Sequence, residues 1–112
     1  MPKHFSIGAD PGLISQIIRN LLSNALKFTP SSGTILIELT KNHLKIKDTG
    51  IGMETSVRER IFERFYQAEP SRSEQGYGLG LAIVKKIIDM HHWTIKVESE
   101  KGKGSSFIVY FN

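Results

Sequence analysis

The chain has 112 residues, of which 39% are hydrophobic and 23% charged, and its formal net charge at pH 7 is +4. This size and composition predict a single globular domain. The absence of cysteine excludes a disulfide scaffold, a thiolate metal site and a cysteine nucleophile. With no long apolar run and no signal-peptide pattern, a cytoplasmic domain without membrane contact is expected. The basic residues are dispersed, so nucleic-acid binding is not expected.

The first predicted helix runs from about Pro11 to Phe28. Asp10 is a good N-cap, Pro11 suits the first helical position, and Pro30 ends the helix. At about 100° per residue, one stripe of this helix carries Asn20, Asn24 and Lys27. The adjoining arc is apolar and is predicted to face the core: Ile14, Ile18, Leu21, Leu22 and Ala25. Polar groups beside a buried seam indicate a ligand site; the alternative is a polar flank with two chance asparagines.

Two alternating stretches predict a β-hairpin with strands at Thr34–Thr40 and His43–Asp48. Because side chains alternate faces along a strand, Asp48 points to the same buried side as Leu44 and Ile46. An unpaired buried charge is costly, so this carboxylate needs partners. Either a ligand supplies them, or Asp48 caps the turn that follows.

Two glycine-rich stretches follow, Thr49–Met53 directly after the hairpin and Gly76–Gly80 before a helix predicted at Leu81–Met90. Glycine lets backbone approach a ligand closely, and a glycine turn at a helix N-terminus suits an anion. Between them, a helix is predicted at Thr55–Tyr66. The polar segment Gln67–Gln75 is a candidate lid that is expected to gain order from a ligand.

Further strands are predicted at Phe5–Ile7, Trp93–Glu98 and Ser106–Phe111. The order is then strand, helix, two strands, two helices, two strands. It predicts an α/β (α+β) two-layer sandwich, in which three helices cover one face of a mixed β-sheet.

Four stretches now stand in order: Asn20–Phe28, Asp48–Gly52, Phe62–Phe65 and Gly76–Leu81. Together they resemble the N, G1, F and G2 boxes of the ATP-binding catalytic domain of two-component sensor histidine kinases. That domain has the Bergerat fold, which is shared with gyrase B and MutL. The resemblance implies that residues 1–112 form this one domain. The dimerisation and phosphoacceptor domain is expected to be missing from these residues, and the first strand is a candidate for truncation.

The resemblance also implies roles for individual residues. Asp48 would accept a hydrogen bond from the adenine amino group, Asn24 would bind Mg²⁺ through its amide oxygen, and Lys27 would meet phosphate charge. Asn20 and Arg64 complete the implied catalytic group, and the Arg64 fork suits the γ-phosphate unless it only forms a surface salt bridge. The other implied ATP-binding positions are Phe28, Gly50, Gly52, Met53, Gly76, Tyr77, Gly78, Leu79, Gly80, Leu81 and Ser105.

Three positions depart from the family pattern. Phe28 stands where relatives often carry tyrosine, and Tyr77 replaces a small threonine or serine. His92 replaces the first of two glycines, so it is expected in a backbone conformation that glycine adopts at low cost.

The implied reaction transfers the γ-phosphoryl group of Mg-ATP to a histidine of the kinase's separate dimerisation domain, and a response regulator acts downstream. The domain alone is expected to be a monomer. One alternative is an ATP hydrolase of the wider superfamily, although hydrolases carry a glutamate general base where Asn20 stands. A second alternative is a non-catalytic nucleotide-sensing or partner-switching module.

Overall fold

The computed structural model describes residues 10–63 and 80–111. Their elements in chain order are α1 (Pro11–Phe28), β1 (Ile35–Leu39), β2 (His43–Asp48), α2 (Thr55–Arg58), α3 (Gly80–Met90), β3 (Thr94–Ser99) and β4 (Ser105–Tyr110). The strands form one sheet in the order β1-β2-β4-β3, with α1 and α3 packed together against it. The predicted two-layer α/β sandwich is confirmed.

All three strand pairs among the described residues are antiparallel, and the mixed sheet that was expected stays a prediction. The strand predicted at Phe5–Ile7 and the candidate lid at Gln67–Gln75 lie outside the described residues. Within the part of the chain that is described, no helix combines the length and apolarity needed to cross a membrane.

Helix α1 has the bounds that its capping residues predict. The Asp10 carboxylate accepts a hydrogen bond of 2.7 Å from the backbone N–H of Gly12, and Pro11 occupies the first helical position. The helix ends at Phe28, and Thr29 is extended because a residue that precedes a proline avoids the helical region.

The buried face of α1 differs slightly from the predicted apolar arc. Its buried hydrophobic side chains are Ile17, Leu21 and Ala25. Ile17 was missing from the predicted arc, whereas Leu22, which was included, lines a cavity at the surface. The buried face of α1 is set by the two elements against which the helix packs, β2 and α3. A helical wheel drawn from the sequence of α1 alone includes neither of them.

Two rows of apolar side chains cross the helix-covered face of the sheet. The antiparallel registers align Ile37, Ile46, Phe107 and Val97 in one row, and Leu39, Leu44, Val109 and Ile95 in the other. Members on the central strands β2 and β4 are buried, whereas those on the edge strand β1 are exposed. The hydrophobic core therefore lies under the two central strands.

Helix α2 ends earlier than the predicted span 55–66 requires, since Thr55–Arg58 are α-helical and residues 59–63 are not. The chain then turns through backbone hydrogen bonds of the i to i−3 type. This turn buries Ile61 and sets the ring of Phe62 edge-on to that of Phe107, with 6.4 Å between centroids.

The C-terminus of α3 has the geometry predicted for His92, whose φ is +58°. The His92 N–H donates to the Asp89 carbonyl at 3.1 Å, and the Trp93 N–H donates to the Ile88 carbonyl at 3.0 Å. This pair of bonds is a Schellman cap, in which glycine usually holds the left-handed position. Trp93 and Ile88 are both buried, so the cap also joins the helix end to the core.

Replacing His92 with glycine should therefore stabilise the fold by about 0.5–1 kcal/mol, because the left-handed cost of a side chain exceeds the entropic cost of glycine. Urea unfolding measures the change. His92→Ala is the matched control, since it removes the ring but keeps Cβ. Equal stabilities of the two variants would contradict the backbone explanation.

Candidate functional site

A row of side chains that is polar on three of its four strands lies at one end of the helix-covered face of the sheet. The strand registers place Ile35, Asp48, Ser105 and Ser99 side by side on β1, β2, β4 and β3. Asp48 is 4% exposed and Ser105 is 8% exposed. The prediction that Asp48 faces the same side as Leu44 and Ile46 is confirmed, and the apolar core ends in a carboxylate beside two hydroxyl groups.

The Asp48 carboxylate is held by backbone amides. The Gly50 N–H donates to its Oδ1 at 2.8 Å. Burial raises the pKa of Asp48, and the amides of Gly50 and Ser105 oppose that rise only in part. No salt bridge reaches this carboxylate within residues 10–63 and 80–111. Since a carboxylate accepts about four hydrogen bonds, it keeps capacity for a ligand that donates.

Gly50 and Gly52 were expected to bring backbone near a ligand, but their described contacts are with the chain's own backbone. A Cβ at Gly50 would collide with the carbonyl of Phe28, at the end of α1. Gly52 has a φ of +70°, and a Cβ there would collide with the carbonyl of Glu100. The Gly102 N–H also donates to the Ile51 carbonyl at 2.7 Å. The loop that contains Gly50 and Gly52 is thus held between the end of α1 and the β3–β4 turn.

The Ser99 hydroxyl joins this loop to the polar row. It accepts a hydrogen bond of 2.8 Å from the backbone N–H of Met53 and lies 2.8 Å from the Ser105 hydroxyl. It also donates to the Gly104 carbonyl at 3.1 Å. Sequence reasoning missed Ser99; the only signal that could have found it is the antiparallel register that pairs it with Ser105.

The polar stripe of α1 contributes two amides with different surroundings. Asn20 Nδ2 donates to the Gly80 carbonyl at 3.1 Å, which ties α1 to the first residue of α3. The half-buried Asn24 side chain forms no hydrogen bond among the described residues, which leaves its amide oxygen available to a ligand. Lys27 Nζ lies 5.5 Å from the centroid of the Phe28 ring, within cation–π distance.

The remaining predicted positions separate into two groups. Met53 and Leu81 are partly buried and pack against the core. The other group was predicted from the sequence and lies outside the described residues: Arg64, Gly76, Tyr77, Gly78 and Leu79.

A cavity of about 440 Å³ also runs along the outer side of α1 and is lined by Arg19, Leu22, Ser23, Leu26 and Lys27. It shares only Lys27 with the predicted site. In the described part of the chain, no group of three histidine, aspartate or glutamate residues could hold a metal ion.

Comparison with known proteins identifies relatives along nearly the whole chain. Residues 9–112 match the family model described as histidine kinase-, DNA gyrase B-, and HSP90-like ATPase. The sensor histidine kinase TmoS of Ectopseudomonas mendocina is 40% identical over 97% of this chain, which covers 12% of TmoS. The circadian input-output histidine kinase CikA of Thermosynechococcus vestitus is 42% identical over 86% of this chain, which covers 14% of CikA.

Solved structures show the same fold. The mycobacterial sensor histidine kinase MprB aligns with a TM-score of 0.78 and 29% identity, covering 93% of this chain and 74% of that chain. Full-length ShkA, solved in complex with AMPPNP, aligns with a TM-score of 0.72 and 33% identity over 92% of this chain and 22% of that chain. The chain therefore belongs to the family of histidine kinase-, DNA gyrase B- and HSP90-like ATPases, as an ATP-binding domain of the kind found in sensor histidine kinases.

Proposed function

We propose that this chain binds Mg-ATP and, in its parent kinase, supplies the γ-phosphoryl group to a histidine of a separate dimerisation and phosphoacceptor domain. The observation that carries the proposal is the buried Asp48 carboxylate, which amides hold in place and no described cation neutralises. A buried carboxylate with spare acceptor capacity suits the exocyclic amine of adenine, a hydrogen-bond donor. The AMPPNP complex of the related ShkA supports a nucleotide as the ligand.

The residues present also fit Mg²⁺. Asn24 would hold the ion through its amide oxygen, a hard donor that no described residue engages, and phosphate oxygens and water would complete the shell. When bound, the ion neutralises phosphate charge. Lys27, three residues further along the same helix, adds a positive charge. Phosphoryl transfer depends mainly on such positioning and charge neutralisation, so Arg64 and the glycines at 76, 78 and 80 are proposed to serve it too.

The partners follow from the proposed reaction. The phosphoryl group would pass from the acceptor histidine to a response regulator, as in two-component signalling. The relatives TmoS and CikA are histidine kinases several times longer than this chain, which is consistent with an acceptor domain elsewhere in the protein. Because the reaction consumes ATP, we place the domain in the cytoplasm.

An ATP hydrolase is the second candidate, because the family model includes ATPases. Asn20 weighs against it, since hydrolysing relatives place a glutamate base there and an amide cannot take a proton from water. The Asn20 Nδ2 is also occupied as a donor to the Gly80 carbonyl. This contact links α1 to α3.

Replacing Asn24 with alanine should weaken ATP binding at least about 10-fold in Mg²⁺, because even outer-shell partners of metal ions are worth 10–100-fold. In EDTA the same substitution should have little effect, since its role is to bind the ion. Calorimetry with and without Mg²⁺ measures both. Asn42→Ala, at an exposed asparagine of the β1–β2 turn, is the matched control. An equal loss in Mg²⁺ and in EDTA would contradict the ligand role.

A further inference from the structure

The Ser99 hydroxyl has three polar neighbours but only one proton to donate. Three polar atoms lie within hydrogen-bond distance of Ser99 Oγ: the Met53 N–H at 2.8 Å, the Gly104 carbonyl at 3.1 Å and the Ser105 hydroxyl at 2.8 Å. The Met53 N–H can only donate, and the carbonyl can only accept. The single Ser99 proton therefore goes either to Gly104 or to Ser105, and this choice fixes the direction of the bond between the two serines.

The Gly104 carbonyl decides the choice. Gly104 is buried, and the other described donor to its carbonyl is the Glu100 N–H, at a long 3.4 Å. Buried carbonyls are rarely left without a good partner, so Ser99 donates to Gly104. Among the described residues Ser105 Oγ has no other side-chain hydrogen bond, so Ser105 donates its own proton to Ser99. This arrangement satisfies all four groups at once.

We infer that Ser99 is a positioning residue for base specificity: it holds the Ser105 hydroxyl as a hydrogen-bond acceptor beside Asp48. Ser105 and Asp48 are direct neighbours across β4 and β2. With its proton committed to Ser99, Ser105 has only lone pairs left. The inference rests on the proposed function, in which this row meets the base of ATP.

A site edge that carries only hydrogen-bond acceptors distinguishes purines by the group at position 6. Adenine carries an amine that donates at position 6, whereas a 6-oxo purine carries a carbonyl that accepts there. The carbonyl would meet a carboxylate and a hydroxyl oxygen, neither of which has a proton to offer. If Ser99 could not accept the Ser105 proton, Ser105 could rotate and donate it to the oxo group.

The test compares the binding of ATP and of inosine triphosphate, its 6-oxo analogue, by calorimetry. Ser99→Ala should lower the ratio of ATP affinity to inosine triphosphate affinity roughly 2- to 10-fold, which is the value of one hydrogen bond between neutral groups. Ser99→Thr keeps the hydroxyl and should keep the ratio. Ser99→Cys fills the same space with a weak hydrogen-bonding group and should shift the ratio as alanine does, even if the alanine variant is unstable.

A double-mutant comparison shows whether Ser99 acts through Ser105. In a Ser105→Ala chain, adding Ser99→Ala should leave the ratio unchanged, since interacting residues are not additive. If Ser99→Ala alone lowered the affinities for ATP and for inosine triphosphate equally, Ser99 would merely support the loop that ends at Met53. That result would overturn the inference. A shift that persists without Ser105 would overturn it too. Failure of the wild-type chain to bind ATP would refute the proposed function itself, and this inference with it.

Discussion

Replacing Asp48 with asparagine is expected to lower ATP affinity about 10- to 150-fold, which corresponds to a charged hydrogen bond of roughly 1.5–3 kcal/mol. The amide oxygen of the asparagine can still accept from the Gly50 N–H, which in the wild type donates to Asp48 Oδ1 at 2.8 Å. The amide NH₂ would then face the adenine amine, so that two donors meet. Calorimetry in Mg²⁺ measures the loss. Equal affinities of the wild-type and Asp48→Asn chains would rule out the adenine role.

The same substitution should raise the stability of the nucleotide-free chain. Burial raises the pKa of Asp48, so the folded chain binds more protons than the unfolded chain between the two pKa values. The contribution of Asp48 to the free energy of unfolding is thus largest below the ordinary aspartate pKa of about 3.9. It falls as the pH rises to the higher folded-state value.

Asparagine lacks this pH-dependent loss, so the variant should melt above the wild type at neutral pH, and the difference should shrink in acid. Asp89→Asn is the matched control. Asp89 is exposed and pairs with Lys85 at 2.7 Å on α3, so its replacement should leave ATP affinity unchanged. Lower stability of Asp48→Asn at neutral pH would show that the carboxylate serves the fold and would contradict this prediction.

The isolated chain is expected to bind ATP but neither to hydrolyse it nor to phosphorylate itself at an appreciable rate. Asn20 stands where a hydrolase needs a base, and general-base assistance is typically worth about 10²–10⁴-fold. Two of the described histidines are already held by other groups. His91 Nδ1 lies 2.8 Å from the Ile87 carbonyl, its ring stacks on Trp93 at 4.3 Å, and His43 lies 2.8 Å from Glu38.

Incubation with γ-³²P-ATP tests this prediction. When the helical acceptor domain of the parent kinase is added in trans, the label should appear on that domain's histidine, as an acid-labile and base-stable adduct. The Asn24→Ala chain is the control and should transfer little label. Steady ATP turnover by the wild-type chain alone, abolished by Asn24→Ala, would overturn the kinase proposal in favour of a hydrolase.

Local sequence rules determined much of the fold. Asp10, Pro11 and Pro30 set the bounds of α1, because caps and prolines act within a few residues of where they stand. Strand alternation placed Asp48 on the buried face of β2, since a period of two leaves a side chain only two faces to choose from. The left-handed conformation of His92 follows equally from its position just after a helix.

Other features were decided by the tertiary structure. Met53 and Ser99 are 46 residues apart, and only the joint pairing of β2, β4 and β3 brings Ser99 into a row with Asp48. Glycine patterns could not show that Gly50 and Gly52 contact the chain's own carbonyls, because glycine serves a ligand and a tight backbone contact equally well. The turn after α2 packs Phe62 against Phe107 of β4, a contact between residues distant in sequence that no local pattern predicts. Sequence therefore determined what depends on neighbours along the chain, and the tertiary structure decided what depends on neighbours in space.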